Sequence, residues 1–201
     1  VEIDLRKFIP TAAGMGGGSS DAAAVLVGVN RMFRLGLTKR ELMERSVAIG
    51  ADVPFCVLRG TALAEGIGEV LTPLPSLPAC FVLIAKPPVN VSTKFVYTNL
   101  KANELTEHPD IDGQIQALQD GDLEGVCRKM GNVLENVTIP AYPVIQTIKD
   151  KMMQCGAVNA MMSGSGPTVF GIFTEREQAE KAAELLREEE KIRQVFVTTA
   201  I

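Results

Sequence analysis

Apolar and polar positions alternate from Val1 to Phe8, reading V-E-I-D-L-R-K-F, which predicts an edge strand. A glycine-rich stretch follows, from Pro10 through Ser20. Ser19, Ser20 and Asp21 offer capping oxygens, and Ala22 to Phe33 is rich in alanine and long apolar side chains, which predicts a helix ended by Gly36. Thr38-x-x-Glu41 has the form of a capping box opening a second helix, which Gly50 closes. Val53 to Leu58, Thr61 to Glu65 and Glu69 to Thr72 are short runs punctuated by glycine, and they predict a hairpin or meander. Pro73, Pro75 and Pro78 then mark a candidate domain boundary, dividing residues 1–76 from residues 77–201.

Beyond that boundary the pattern mixes periods. Phe81 to Ala85 reads as a buried strand, and Ser92 is placed to cap a helix running through Asn99. Further helices are predicted over Ile111–Leu118, Leu123–Leu134 and Val144–Gln154. Ala157 to Met162 and Thr168 to Phe173 read as partner strands across a turn at Ser163–Pro167. Thr174-x-x-Glu177 is expected to cap a long last helix with Ala179, Ala183 and Leu186 on one face, and Val195 to Thr199 closes as a strand. There is no internal repeat and no low-complexity tract.

Composition narrows the class. The 201 residues are 46% hydrophobic and 22% charged, as expected of a soluble globular protein. A net charge of -4, without a basic stretch interleaved with aromatics, argues against a nucleic-acid partner. The longest apolar stretch, Cys80 to Ala85, is too short to cross a bilayer, and no leader pattern precedes it. Cys56, Cys80, Cys127 and Cys155 are widely spaced, and His108 is the single histidine, so reduced thiols in a cytoplasmic protein are expected and a structural zinc site is not.

Candidate chemistry begins at Gly14-Met15-Gly16-Gly17-Gly18-Ser19-Ser20-Asp21. A helix start leaves backbone amides unpaired and carries partial positive charge. Glycines ahead of it let the backbone approach an anion closely, which makes a phosphate cradle. The hydroxyls of Ser19 and Ser20 add donors, or a ligand for magnesium carried on phosphate. The loop is not a P-loop, since no Gly-Lys-Ser/Thr follows, and no strand-helix-strand unit with a later ribose-binding acid supports a dinucleotide site.

Pro-x-x-x-Gly-Met-Gly-Gly-Gly-Ser-Ser-Asp-Ala-Ala, from Pro10 onwards, resembles the ATP-binding motif of the GHMP kinase superfamily, and Gly164-Ser165-Gly166-Pro167-Thr168-Val169-Phe170 resembles its C-terminal glycine motif. Three further strings are similar to segments of the diphosphocytidyl-methylerythritol kinases within it: Gly50-Ala51-Asp52-Val53-Pro54-Phe55, Gly60 to Glu69, and Lys86-Pro87-Pro88 with Val91-Ser92-Thr93. The resemblance covers essentially the whole chain. It implies an α/β (α+β) fold of two lobes, an S5-like nucleotide-binding lobe over 1–76 and a ferredoxin-like lobe over 77–201.

The resemblance also implies roles. ATP would lie on Pro10, Ala13, Gly14, Met15, Gly16, Gly17, Gly18, Ser19 and Ser20, with Mg2+ reaching Ser19 or Ser20 through the phosphates. Asp52 would be the general base that deprotonates the acceptor hydroxyl; from its residues alone the turn-forming aspartate is the stronger reading. Gly164, Ser165 and Gly166 would shape the active-site floor, although the same string is open to reading as a plain hairpin turn. Thr93 and Tyr97 would contact a cytidine diphosphate-linked methylerythritol, the small-molecule partner, with Tyr97 also readable as a half-buried core side chain. Phosphorylation would fall on the 2-hydroxyl of that acceptor, in the non-mevalonate route to isopentenyl diphosphate.

The family's leading segment carries a Pro-Ala-Lys-like motif and a Gly-Tyr-His segment, and neither string occurs here; Lys7 is not that lysine. The first lobe is therefore expected to be N-terminally incomplete, with an open sheet edge and low turnover by this chain alone. The sequence leaves two alternatives open: a related kinase acting on homoserine, mevalonate or a sugar, and a catalytically silent nucleotide-binding fragment.

Overall fold

A computed structural model describes residues 1–10, 13–105, 108–188, 190 and 192–200. Thr11 and Ala12 of the glycine-rich stretch lie outside these described residues. The chain divides into two compact units, Val1–Thr11 with Met15–Pro75, and Ala12–Gly14 with Ser76–Ile201.

The first unit is built on three helices, α1 (Gly17–Met32), α2 (Lys39–Ser46) and α3 (Val53–Leu58), and a hairpin of β1 (Thr61–Glu65) and β2 (Val70–Leu74). Ala23, Leu42, Val53 and Val57 bury together, one or two from each helix, and Ala22, Leu26, Leu37, Met43 and Cys56 pack around them. The turn between α1 and α2 is fastened by Asn30, whose side chain donates to the carbonyl of Leu37 at 2.9 Å and accepts from its amide at 3.1 Å. The capping box at Thr38 is present, with Thr38 accepting from the Glu41 amide and the Glu41 carboxylate accepting from the Thr38 amide.

Three expectations are corrected in this unit. Val1–Phe8 is not a strand; no described strand lies alongside to supply ladder hydrogen bonds, and Val1, Ile3, Leu5 and Phe8 are exposed. Val53–Leu58 is a helix, not part of a meander. Pro54 in its first turn is compatible with a helix start, and Val53 and Val57, four residues apart, face the same core. Helix α1 begins at Gly17, so Ser19, Ser20 and Asp21 lie inside its first turns and do not cap it. The hairpin itself is as expected, antiparallel with Thr61 opposite Leu74 and Glu65 opposite Val70. Pro73 sits within β2, opposite Ala62, a position open to proline because β2 pairs on one side only.

The second unit has a four-stranded antiparallel sheet in the order β4 (Asn159–Met162), β5 (Val169–Phe173), β3 (Phe81–Lys86), β6 (Gln194–Thr199). Numbered within the unit that order is 2-3-1-4, the ferredoxin-like arrangement. Alternation along the central strands sorts the side chains to two faces. Leu83, Ala85, Val169 and Phe173 join the main core with Ile145, Ile148 and Met152 of α8 (Val144–Gln154) and Ala179, Ala182, Ala183 and Leu186 of α9 (Arg176–Glu188). On the other face Ile172 packs with Cys80 and with Cys127 of α6 (Leu123–Lys129).

Between β3 and α6 stand α4 (Thr93–Asn99), capped by Ser92, a 3-10 turn at Ala102–Glu104, and α5 (Ile111–Gln119), capped by Asp110. The helix expected over Leu123–Leu134 is shorter: α6 stops at Lys129, and a further helix that the pattern does not predict, α7 (Glu135–Ala141), follows. Val137, Thr138, Ile139 and Pro140 are all poor helix formers, so the sequence conceals α7; burial of Thr138 and packing of Val137 and Ile139 on the main core hold it. Helix α9 begins at Arg176, which puts Thr174 too far upstream to cap it. No described helix is long and apolar enough to cross a membrane.

Candidate active site

The glycine-rich loop ends in a specific backbone device. Gly16 is the N-cap of α1 in the left-handed region, with φ +59°, and no side chain caps the helix. The first intrahelical bond runs from the Ser20 amide to the Gly16 carbonyl at 2.8 Å. The amides of Gly17, Gly18 and Ser19 precede it, and such leading amides have no partner within a helix. Nor is there an acidic side chain in the first turn to neutralise the helix end.

Space at this tip is uneven. Gly17 is buried against Ile9, where an added Cβ would stand 2.9 Å from Ile9 Cγ2. At Gly16 and Gly18, by contrast, no described atom lies within 4 Å of the position a Cβ would take. The loop is seated on one side and open on the other, which is the shape an anion needs. Lys7 and Asp21 form an ion pair beside it, which occupies the Lys7 ammonium with α1 itself.

Asp52 precedes α3 and is exposed. It occupies the N-cap position, yet its side chain makes no capping bond, and among the described residues no hydrogen bond engages its carboxylate. Val53, its neighbour, is 1% exposed and buried in one cluster with Ala23 of α1, so the helix carrying the carboxylate is fixed against the helix carrying the glycine loop. The hairpin turn also comes alongside: a Cβ on Gly68 would lie 3.9 Å from Asp52 Oδ1. Burial, and then the Asp52 charge, push the Cys56 thiol upward, leaving it protonated and unsuited to act as a nucleophile.

In the second unit the loop after β4 is tied down from several directions. Its Ser163 amide donates to the Thr168 carbonyl at 2.8 Å, and the Gly166 amide to the Ser163 carbonyl at 2.9 Å. The Ser163 hydroxyl donates to the carbonyl of Gly14 at 2.7 Å. Gly14 has φ +70°, and a Cβ there would fall 2.2 Å from the Ser163 carbonyl oxygen, so only glycine fits this approach. The peptide bond between Gly166 and Pro167 is cis. Ser165 Oγ lies 3.0 Å from Thr93 Oγ1, across 72 residues of sequence.

Within the units, then, the structure brings together several of the residues singled out from sequence. Gly14 meets Ser163 and Gly166, and Thr93 meets Ser165. Tyr97 is 60% exposed and stands one helical turn after Thr93, so the half-buried reading of it does not hold. Pro10 and Ala13 flank the stretch outside the described residues; Ala13 is buried, and Met15 is half-buried. Sequence reasoning missed Asn132, Glu135 and Thr138, which hold the Met162–Ser165 segment by hydrogen bonds from about thirty residues away. No local pattern announces them.

Residues 1–60 match the model for the GHMP kinases N terminal domain, and residues 114–191 match that for GHMP kinases C terminal. A relative from Lachnospira eligens named 4-diphosphocytidyl-2-C-methyl-D-erythritol kinase is 60% identical, over 98% of this chain and 69% of its own length. A protein of the same name from Lachnoclostridium phytofermentans is 57% identical over 90% of this chain and 62% of its length. The chain thus spans roughly two thirds of the relatives it matches. Among solved structures, a 4-(cytidine 5'-diphospho)-2C-methyl-D-erythritol kinase superposes with a TM-score of 0.82 at 32% identity, over 98% of this chain and 69% of that one. A homoserine kinase from Cytophaga hutchinsonii reaches 0.79 at 21% identity, over 97% and 68%, which shows a shared fold.

Proposed function

The chain belongs to the GHMP kinase family, and from that premise we propose that it transfers the γ-phosphoryl group of ATP to the 2-hydroxyl of 4-diphosphocytidyl-2-C-methyl-D-erythritol. The observation that carries the reading is the uncapped front of α1, open at Gly16 and Gly18, on a helix packed against the one that bears the unengaged Asp52 carboxylate.

In this reading the backbone amides from Gly16 to Ser19 bind the triphosphate, with Pro10, Ala13, Gly14, Met15 and Ser20 completing the nucleotide site. Asp52 accepts the proton of the acceptor hydroxyl as its oxygen bonds to the γ-phosphorus. The bond from that phosphorus to the β–γ bridging oxygen breaks, and ADP leaves. Thr93 and Tyr97 meet the cytidine-linked part of the acceptor, Thr93 by hydrogen bonding and Tyr97 by offering its ring face. Gly164, Ser165 and Gly166 form the floor.

Magnesium fits this donor set. Ser19 and Ser20 supply hard hydroxyl oxygens on the first turn of α1, and the phosphates supply the rest. The ion would arrive with the nucleotide, whose phosphate oxygens are its preferred hard ligands. When bound, it neutralises charge on the phosphate oxygens. Residues 1–76 serve as the nucleotide-binding domain and 77–201 as the acceptor domain in this scheme.

The test is ADP release by the full-length gene product, with ATP and each of three acceptors: the cytidine-linked methylerythritol, homoserine and mevalonate. Turnover with the first acceptor and not the others is expected. Preference for homoserine or mevalonate would move the protein to another branch of the family.

A further inference from the structure

Ser165 sits in a loop that its own sequence does little to fix. Gly164 and Gly166 flank it, and both have positive φ. The order of this segment comes from the stretch running into α7. Asn132 Nδ2 donates to the carbonyl of Met162 at 2.9 Å and to that of Gly164 at 2.8 Å. Glu135 Oε1 accepts from the Met162 amide at 2.7 Å, while its other oxygen pairs with Lys149 at 2.5 Å. The Thr138 hydroxyl donates to the carbonyl of Ser165 itself at 3.3 Å. Thr138 is fully buried, its position set by the core around α7 and not by solvent.

Ser165 in turn is 8% exposed and lies in hydrogen-bond contact with the exposed Thr93. A line of polar contacts therefore runs from the buried Thr138 hydroxyl, through the Ser165 peptide and side chain, to the Thr93 hydroxyl at the surface. Thr93 opens α4, which is anchored by Val96 at 0% exposure, so the helix backbone is fixed while the direction of the Thr93 hydroxyl hydrogen depends on its partner.

We propose that Thr138 is a positioning residue for the acceptor: by holding the Ser165 peptide, it orients Ser165 Oγ against Thr93 and so fixes the hydrogen-bonding direction of Thr93 toward the cytidine-linked substrate. The proposal rests on the reading of Thr93 as an acceptor contact. It assigns Thr138 no contact with substrate. The nucleotide side is expected to be indifferent to it, because Gly17 at the front of α1 is seated on Ile9 and makes no contact with Thr138 or Ser165.

Steady-state kinetics of the full-length gene product test this, with ATP and the cytidine-linked acceptor varied separately. Thr138→Val keeps the shape and removes the donor. It is expected to raise the KM for the acceptor about two- to tenfold, the worth of one hydrogen bond, and to leave the KM for ATP unchanged. Thr138→Ser restores the hydroxyl and is expected to restore the acceptor KM. Equal shifts in both KM values, no shift in either, or a serine variant that fails to recover would overturn the positioning role. So would a lowered Tm in Thr138→Val without the split between substrates. Thr93→Val separates the two claims. If it leaves the acceptor KM untouched, the acceptor reading fails and this proposal with it. If it raises that KM while Thr138→Val does not, the relay alone is overturned.

Discussion

Ser163 Oγ donates to the Gly14 carbonyl at 2.7 Å, and the Cα of Gly14 approaches the Ser163 backbone so closely that a Cβ would stand 2.2 Å from its carbonyl oxygen. Two segments separated by 149 residues are thus matched to each other at the backbone level. Gly14→Ala is expected to cost ~1–2 kcal/mol from the left-handed backbone alone, before the collision is counted. Ser163→Ala should cost about 1 kcal/mol, the net worth of its hydrogen bond. Urea unfolding of the two variants checks the order, with Gly14→Ala the more severe.

Asp52→Asn preserves the size of the side chain and removes its basicity. If the carboxylate takes the acceptor proton, kcat should fall about 10²- to 10⁴-fold, with little change in the KM for ATP. Stability should hold, since the side chain caps nothing and makes no hydrogen bond among the described residues. A variant with near-normal kcat in the full-length gene product would remove Asp52 from the chemistry.

Neighbouring glycines at the tip of α1 should respond in opposite ways. Gly18→Ala adds a methyl to open space within a helix, which should raise stability by up to about 1 kcal/mol through propensity. The same methyl occupies room that the phosphates need, so ATP affinity should drop. Gly17→Ala instead pushes on Ile9 Cγ2 from 2.9 Å and should destabilise the fold. Thermal unfolding paired with nucleotide titration distinguishes the two.

Cys127 is expected to be the thiol least reactive toward alkylation in the native protein. It is 1% exposed, and burial first, then the neighbouring Cys80, push its pKa up to about 11 from 9.0. Cys155, partly exposed, should label first with iodoacetamide at neutral pH. The same shift sets a pH dependence. The folded thiol keeps its proton above the pH at which the unfolded one releases it, so stability is intact below about 9 and declines as pH rises toward about 11. Urea midpoints measured across that range should fall, and Cys127→Ala should flatten the decline.

Local signals were the ones legible in the sequence. The capping box at Thr38, the cap at Ser92 and the amphipathic span Val144–Gln154 lie where the pattern predicts, because each is written in adjacent residues. The glycine loop was legible for the same reason, as it is one continuous string. Val53–Leu58 was not: an apolar run of six carries no period that separates strand from helix, and its burial against Ala23 and Leu42 decides the matter. Helix α7 was hidden by β-branched residues and Pro140, and its role in pinning Met162–Ser165 depends on contacts that no short window contains. In Val1–Phe8 the alternation is genuine, but alternation only becomes a strand beside a partner.

Strand β3 lies inside its sheet, with β5 on one side and β6 on the other. Its residues pair with Gln194–Thr199, which emerge from the ribosome roughly a hundred residues later, a separation that makes folding slow. During synthesis the segment Phe81–Lys86 would remain a sticky, half-zipped edge until the far end of the chain arrives. Nascent chains stalled before β6 should therefore be the species that chaperones hold or that clump, and a truncation removing only that strand should be far more harmful than its length suggests.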